Sequence, residues 1–440
     1  MKKILKKIIP EQLFIRIVPK WHLLIAIISV LRYGFPARNM KFIGVTGTNG
    51  KTTTTNMIYT MLKEAGYSTA HLSTTTYGLN NDVHQQIEHM TTVSAPQLQK
   101  RLKDFKEAGA EWVVIEASSH ALVQNRVWGV PFEIAVMTNV THEHLDYHGT
   151  FESYREAKRK LFKIVAKSKR NFGVVYAEDP AAKLFGSTTK RYVTYGPHKA
   201  DVSARSIKLG TDGSNFTAVG DKGEYSMTVN IPGDFNVSNA LAAVAVGEEL
   251  GLSKSQIEKG IAALKGVEAR MMKIHAGQNF SVIIDHGGTP DAFQRVFENI
   301  VPITKGKLVV VFGSPAHRDK IKRPIQGEIA GKYADVVILT EEDDRDEPGE
   351  QIMNDIAVGA EKAGKVRDKD LFLINDRTEA LDFAMTLVQS KDDLVISLGK
   401  GHEKTIERGN EVFPWSEPDT AKSAIKKAIK ANPKAKKVSK

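Results

Sequence analysis

The sequence predicts an α/β protein made of two domains with mainly parallel sheets. Three observations carry that prediction. From residue 41 onward, short β-rich runs alternate with helical stretches. The apolar runs Val309–Phe312 and Val395–Leu398 lack polar alternation, as strands buried on both faces do. The chain has 440 residues, more than one ordinary core holds together.

Taken in order, the predicted strands of the first domain are Phe42–Thr46, Trp112–Glu116, Ile134–Thr138 and Phe172–Tyr176. Ser281–Asp285, Leu308–Phe312, Val336–Thr340 and Leu394–Leu398 follow in the second. Apolar residues at helical spacing predict helices over Lys51–Ala65, Tyr154–Lys167, Val237–Leu250, Lys254–Leu264 and Asp319–Lys332. A break is expected near Gly266–Arg270, before the second strand–helix series begins. The expected organisation is a basic, apolar helical segment over 1–40, α/β domains over 41–268 and 269–430, and a disordered basic tail over 431–440.

The composition is globular, with 41% hydrophobic and 26% charged residues. No cysteine is present, which excludes disulfides and thiolate metal sites and suits a reducing cytoplasm. The net charge of +11 sits at the ends: residues 1–40 carry eight Lys/Arg against one Glu, and 421–440 carry eight Lys and no acid. The remainder is mildly acidic, so nucleic acid is not an expected partner. Trp21–Leu31 (WHLLIAIISVL) is too short to span a bilayer, which takes roughly 20 residues. Arg32, Tyr33 and Gly34 follow it instead of a small-residue cleavage site. A helix packed on the body is the first reading of this segment, and a basic helix making peripheral membrane contact is the second.

Phe42–Thr55 reads FIGVTGTNGKTTTT, an apolar strand running into a Gly-containing turn that opens a helix. Gly47 and Gly50 let backbone N–H groups turn toward an anion, and the helix start supplies more donors. Lys51 can neutralise phosphate charge and the Thr52 hydroxyl can ligate magnesium. Val45 stands where the common phosphate loop has its first Gly. Alone, this loop points to a nucleoside triphosphate and to a P-loop ATPase-type first domain; the second domain is expected to be Rossmann-like.

The segment Thr46-Gly47-Thr48-Asn49-Gly50-Lys51-Thr52 resembles the loop of the Mur ligases, and further motifs follow in that family's order from about residue 41 to 430. Glu116-Ala117-Ser118-Ser119-His120 resembles E-V-S-S-H. Thr138-Asn139-Val140-Thr141-His142-Glu143-His144-Leu145-Asp146-Tyr147-His148-Gly149 resembles T-N-L-x-x-D-H-L-D-Y-H-G. Lys158 lies fourteen residues beyond His144, where the family keeps a carbamylated lysine. Asn236 falls in G-x-F-N, Arg270 in a segment similar to G-V-P-G-R-M, and Asp285 opens a match to D-Y-A-H-T-P-D in which His286 and Gly288 replace the Tyr and His.

The resemblance implies an ATP-dependent amide ligase that uses magnesium and forms an acyl phosphate. It makes Gly47, Thr48, Asn49, Gly50, Lys51, Thr52, Thr53, Asn139, Asn236, Arg270 and Asp285 nucleotide-binding residues. Thr52, Glu116, His144 and carbamylated Lys158 become metal ligands, with Lys51, His144 and Lys158 catalytic. A carbamate requires a neutral amine, so the surroundings of Lys158 must depress its pKa. Three His within 142–148 suggest zinc, but oxygen chemistry around magnesium and phosphate fits the rest better.

His317-Arg318-Asp319-Lys320-Ile321-Lys322-Arg323-Pro324 and Gly399-Lys400-Gly401-His402-Glu403 resemble segments of the MurE type, the branch that adds the third residue of the peptide stem. Thr91, Thr92, Ser118 and Arg126 then fall where that branch grips a UDP-muramoyl dipeptide. Arg318, Asp343, Arg345, Gly399 and Glu403 fall in its amino-acid site. Glu342-Asp343-Asp344-Arg345 stands in place of D-N-P-R, so diaminopimelate or lysine is expected. Only about 40 residues precede the loop, where that branch carries a UDP-holding domain. A lipid-linked muramoyl peptide, a pseudomurein-type peptide or another glutamate-bearing acceptor is therefore the alternative. The protein is expected to be a cytoplasmic monomer whose partners are these small molecules.

Overall fold

The computed structural model describes residues 11–86, 88, 90–141, 143–210, 212–409, 411–432 and 435–436. These divide into two compact units, with the main boundary between Lys265 and Gly266; Gly210–Asp212 and Ile231–Gly233 belong with the second.

The first unit is built on strands β1 (Lys41–Thr46), β2 (Thr69–Leu72), β3 (Thr76–Leu79), β4 (Asp82–Gln85), β5 (Trp112–Glu116), β6 (Phe132–Met137), β7 (Phe172–Tyr176) and β8 (Arg191–Tyr195). They form one sheet in the order β4-β3-β2-β5-β1-β6-β7-β8. The strands from β2 to β8 in that order are parallel, and β3 and β4 extend the edge antiparallel. β1 is central because its sequence Phe-Ile-Gly-Val buries both faces. Phe42, Val113, Ile115, Phe132, Leu161 and Phe162 form part of the core, each fully buried side chain contributing roughly 1.5–3 kcal/mol. The Lys51–Glu64 helix packs against Phe235–Leu250 and Lys254–Ala262, so its Thr52–Thr55 run lies inside the protein. Strands β9 (Ser203–Gly210), β10 (Gly213–Gly220) and β11 (Gly223–Val229) form a separate antiparallel sheet.

The second unit holds β12 (Met272–Lys273), β13 (Ser281–Asp285), β14 (Leu308–Phe312), β15 (Val336–Leu339), β16 (Leu371–Leu373) and β17 (Leu394–Leu398), in the order β12-β13-β17-β14-β15-β16. All but β12 are parallel. Leu308–Phe312 and Leu394–Leu398 are buried throughout, as their continuous apolar sequences predict.

Several boundaries move for local reasons. The helix expected from Tyr154 starts at Phe151, because the Thr150 hydroxyl caps it by accepting from Ser153 N. The helix expected from Asp319 starts at Lys322; Asp319 instead turns the chain by accepting from Ile321 N at 2.9 Å.

Of the tail expected to be disordered, the structure describes residues 431, 432, 435 and 436, of which Ala431 ends a helix and Ala435 is buried. The Glu417–Ala431 helix carries Ala424, Ile425 and Ala428 into the core, Ala435 joins them, and Asn279 N donates to Ala435 O at 2.9 Å. Residues 433, 434 and 437–440 lie outside the described set. At the other end, Glu11–Arg32 is one helix containing Pro19, with Ala26, Ser29 and Val30 buried. Among the described residues no helix is long and apolar enough to cross a membrane.

Candidate active site

In the first unit β5 and β6 flank β1 on opposite sides, so the chain steps away from β1 in both directions and leaves a crevice at the carboxyl ends of the strands. The loop after β1 sits there. Thr48 N donates to Asn139 O at 2.7 Å and Asn49 N to Asn139 Oδ1 at 2.9 Å. Thr138 Oγ1 donates to Asn49 O at 2.6 Å. A Cβ on Gly47 would lie 1.8 Å from Thr138 Oγ1, so only glycine lets the loop approach the end of β6 this closely. Gly50 (φ 81°) leads into the Lys51–Glu64 helix, whose start no side chain caps, an arrangement that favours an anion there.

Charged groups converge on this loop. Lys51 Nζ folds back to donate to Thr48 O at 2.7 Å, and buried Lys158 donates to Gly47 O at 2.5 Å. Burial, with the Lys51 charge beside it, pushes the Lys158 amine well below the ordinary lysine range; Glu143 and Glu116 oppose the shift. Glu116 is buried at the end of β5, where one oxygen, Oε2, accepts from Thr52 Oγ1 (3.0 Å), Thr74 N (2.9 Å) and Thr74 Oγ1 (3.0 Å). Thr53 is buried one residue on. Asn236 accepts from Asn239 Nδ2 at 2.9 Å, and Asn239 Oδ1 accepts from Thr54 Oγ1 at 3.1 Å, which ties the Phe235–Leu250 helix to the phosphate-loop helix.

His144 adopts φ 55° and is half exposed, with its ring 4.8 Å from that of His120. Among the described residues no three His, Cys, Asp or Glu cluster as a metal site, and His142 lies outside them. The oxygens at hand are the Thr52 hydroxyl and the Glu116 carboxylate, hard donors suited to magnesium. Glu143 is the residue the sequence reading missed. Burial pushes its carboxyl up, but Lys51, His144, Lys158 and the Tyr154 hydroxyl (3.1 Å) outweigh that and hold it below the usual range. The signal was its position, an acid where the resembled motif has Asp.

Thr92, Ser118 and Arg126 meet beside the end of β5. Thr92 Oγ1 donates to Glu116 O at 2.7 Å and accepts from Ser118 N at 3.1 Å, while Arg126 Nη1 donates to Thr92 O at 2.5 Å. Thr91 is half-buried next to them.

The second unit gathers its candidates at strand ends too. Asp285 closes β13, its two oxygens accepting from Met271 N (2.8 Å) and Gly287 N (2.7 Å), which fixes the turn beside Arg270. Asp343 follows β15 and accepts from Lys400 Nζ at 2.8 Å and Glu407 N at 2.9 Å. Lys400 is fully buried between Asp343 and Glu403 (2.5 Å), and those carboxylates outweigh burial to raise its pKa. Arg345 donates through Nε to Glu407 at 2.7 Å and through Nη1 to Ala316 O at 3.1 Å. Gly399 follows β17 directly, and Arg318 is exposed on the loop after β14.

A glycine-containing loop on a helix start, two lysines on its carbonyls and a buried Thr–Glu pair beside it place the first unit in the P-loop class of α/β folds, with a loop suited to an anion such as a nucleotide phosphate. Family comparison makes this specific. Residues 45–247 match the Mur ligase middle domain and 269–401 the Mur ligase glutamate ligase domain. A UDP-N-acetylmuramyl-tripeptide synthetase of Roseiflexus sp. is 39% identical over 422 residues, 93% of this chain and 83% of that protein. A UDP-N-acetylmuramoyl-L-alanyl-D-glutamate–2,6-diaminopimelate ligase of Syntrophomonas wolfei is 35% identical, covering 92% and 82%. A solved structure of a ligase with the latter name superposes with a TM-score of 0.64 at 32% identity, covering 89% of this chain and 79% of that one. The chain belongs to the Mur ligase family, whose members are ATP-dependent amide ligases.

Proposed function

We propose that the protein adds diaminopimelate or lysine to a muramoyl-dipeptide acceptor in cell-wall peptidoglycan synthesis. ATP phosphorylates the terminal carboxylate of the acceptor, the incoming amine displaces phosphate from the acyl phosphate, and amide, ADP and phosphate are the products. The observation that carries this reading is the convergence of Lys51, Lys158, Thr52 and Glu116 on one loop at the ends of β1, β5 and β6.

In this reading Gly47, Thr48, Asn49, Gly50 and Thr53 shape the phosphate cradle, with Asn139 bracing the loop and Asn236, Arg270 and Asp285 completing the nucleotide contacts. Lys51 spreads charge developing on the transferred phosphoryl group. Thr52 with Glu116, and His144 with carbamylated Lys158, are the groups that would hold magnesium, which bound there would offset the charge of the phosphate oxygens. The lowered pKa of Lys158 supports the carbamate, because only the neutral amine takes up carbon dioxide. Thr91, Thr92, Ser118 and Arg126 hold the acceptor. Arg318, Asp343, Arg345, Gly399 and Glu403 hold the amino acid, with a guanidinium suited to a carboxylate. We assign the reaction to the cytoplasm and the protein to a monomer.

The test is ADP formation with ATP, magnesium, UDP-N-acetylmuramoyl-L-alanyl-D-glutamate and, in turn, diaminopimelate, L-lysine, D-lysine or ornithine. A product with the summed mass less water identifies the amino acid. Failure with all four contradicts this acceptor and moves the reading to a lipid-linked or pseudomurein-type one.

A further inference from the structure

Among the described side chains of the Glu11–Arg32 helix, those of residues 19–32, the buried ones lie on one side. At about 100° per residue, buried Ala26, Ser29 and Val30 share one arc of its surface. Val30 packs where a Cβ on Gly129 would come within 2.8 Å, and the helix lies against Ala95–Glu107. On the opposite arc, about 80° wide, stand Trp21, Leu24, Ile28 and Leu31, with side chains 56%, 46%, 53% and 59% exposed. Exposed Phe35 follows just past the helix end, and exposed Trp128 neighbours Gly129. Large apolar residues spaced i, i+3, i+7, i+10 and left in water are not scatter; such a continuous stripe marks an interaction surface.

Charge selects the occupant. Exposed Lys20 and Arg32 lie on the two flanks of the apolar arc, and residues 1–40 carry eight Lys/Arg against one Glu. A stripe of Trp, Leu and Ile edged by Lys and Arg matches the acyl–headgroup boundary of an anionic bilayer. The aromatic ring of Trp21 suits the headgroup level. No described helix is long and apolar enough to cross, so the helix lies in the plane of the surface. We infer that the Glu11–Arg32 helix docks the protein on an anionic lipid surface through Trp21, Leu24, Ile28 and Leu31, with Lys20 and Arg32 against the headgroups. This holds whichever acceptor the ligase uses.

The full chain is floated with phosphatidylcholine vesicles with and without about 30% phosphatidylglycerol, at low and high salt. Binding is expected on the anionic vesicles, reduced about tenfold or more by high salt or by Lys20→Glu with Arg32→Glu. Leu24→Ser with Ile28→Ser is expected to weaken it by a similar factor while leaving the thermal midpoint and ATP binding unchanged, since both side chains face water. Equal binding to neutral vesicles, or none to either, overturns the inference. A concentration-dependent dimer in sedimentation that the Leu24/Ile28 variant abolishes also overturns it, because a second copy would then own the stripe.

Discussion

The side-chain nitrogen of Lys158 donates to the carbonyl oxygen of Gly47 at 2.5 Å, so a buried amine is anchored beneath the phosphate loop, next to Lys51. Two cations this close are tolerable only if one is neutral, is converted to an anion, or faces added negative charge. Lys158→Ala is expected to lower kcat about a thousandfold with ATP affinity changed much less, and formate or acetate should restore part of the rate. Steady-state kinetics with and without the added carboxylate decide it; undiminished turnover of the variant removes the carbamate role.

Gly47→Ala places a methyl 1.8 Å from Thr138 Oγ1 and 3.1 Å from the backbone N and O of Asn139. The loop must shift, and ATP binding should weaken about a hundredfold, read by calorimetry. Adding Thr138→Ala removes the worst clash but not the backbone contacts, so partial recovery is the expected result. Full affinity in the single variant would mean the loop does not need this approach.

Glu143 is held ionised among Lys51, His144 and Lys158. Glu143→Gln keeps the shape but removes the charge that balances the lysines. A fall in kcat of about 10–100-fold, with KM for ATP nearly constant, is the expected split. A change in KM alone would make Glu143 a binding residue only.

A Cβ on Gly399 (φ 105°) would lie 2.5 Å from the carboxylate of half-buried Glu342. Gly399→Ala should displace the Gly399–Glu403 loop and raise KM for the amino acid about tenfold. ATP binding by the isolated variant should be unchanged, which separates this effect from unfolding.

His71 is buried against the Tyr59 ring at 4.1 Å, with Nε2 2.8 Å from Thr76 Oγ1, and burial pushes its pKa down to about 3. The unfolded chain takes up this proton near pH 6.5 and the folded chain does not, so stability is complete above about pH 6.5 and is lost as pH falls toward about 3. The slope from this group is about 1.4 kcal/mol per pH unit. Urea unfolding of His71→Phe at several pH values between about 7 and 4 should show a slope shallower by one proton; an unchanged slope would mean the folded ring titrates normally.

Much of the fold was legible because its signals are local. Phe42–Thr46, Trp112–Glu116 and Leu394–Leu398 are short apolar runs followed by breakers, and buried parallel strands leave that trace. The edge strands were not read. Asp82–Gln85 is exposed throughout, so no apolar pattern marks it, and only the preceding Asn80-Asn81 turn signals the hairpin. The β9–β11 sheet was equally available from its turns, Asp212-Gly213 and Asp221-Lys222-Gly223. Within the site, loop residues were visible as a motif. Glu143 stood at a motif position, but its balance against Lys51 and Lys158 depends on contacts between distant parts of the chain, as does the pairing of Thr74 with Glu116 at the end of β5, and no spacing encodes these.

The most direct test of the central claim, that the acceptor carboxylate is activated by phosphorylation, uses an acceptor labelled with oxygen-18 in that carboxylate. The account predicts one labelled oxygen in each phosphate released during amide formation. Amide formation with unlabelled phosphate would contradict it.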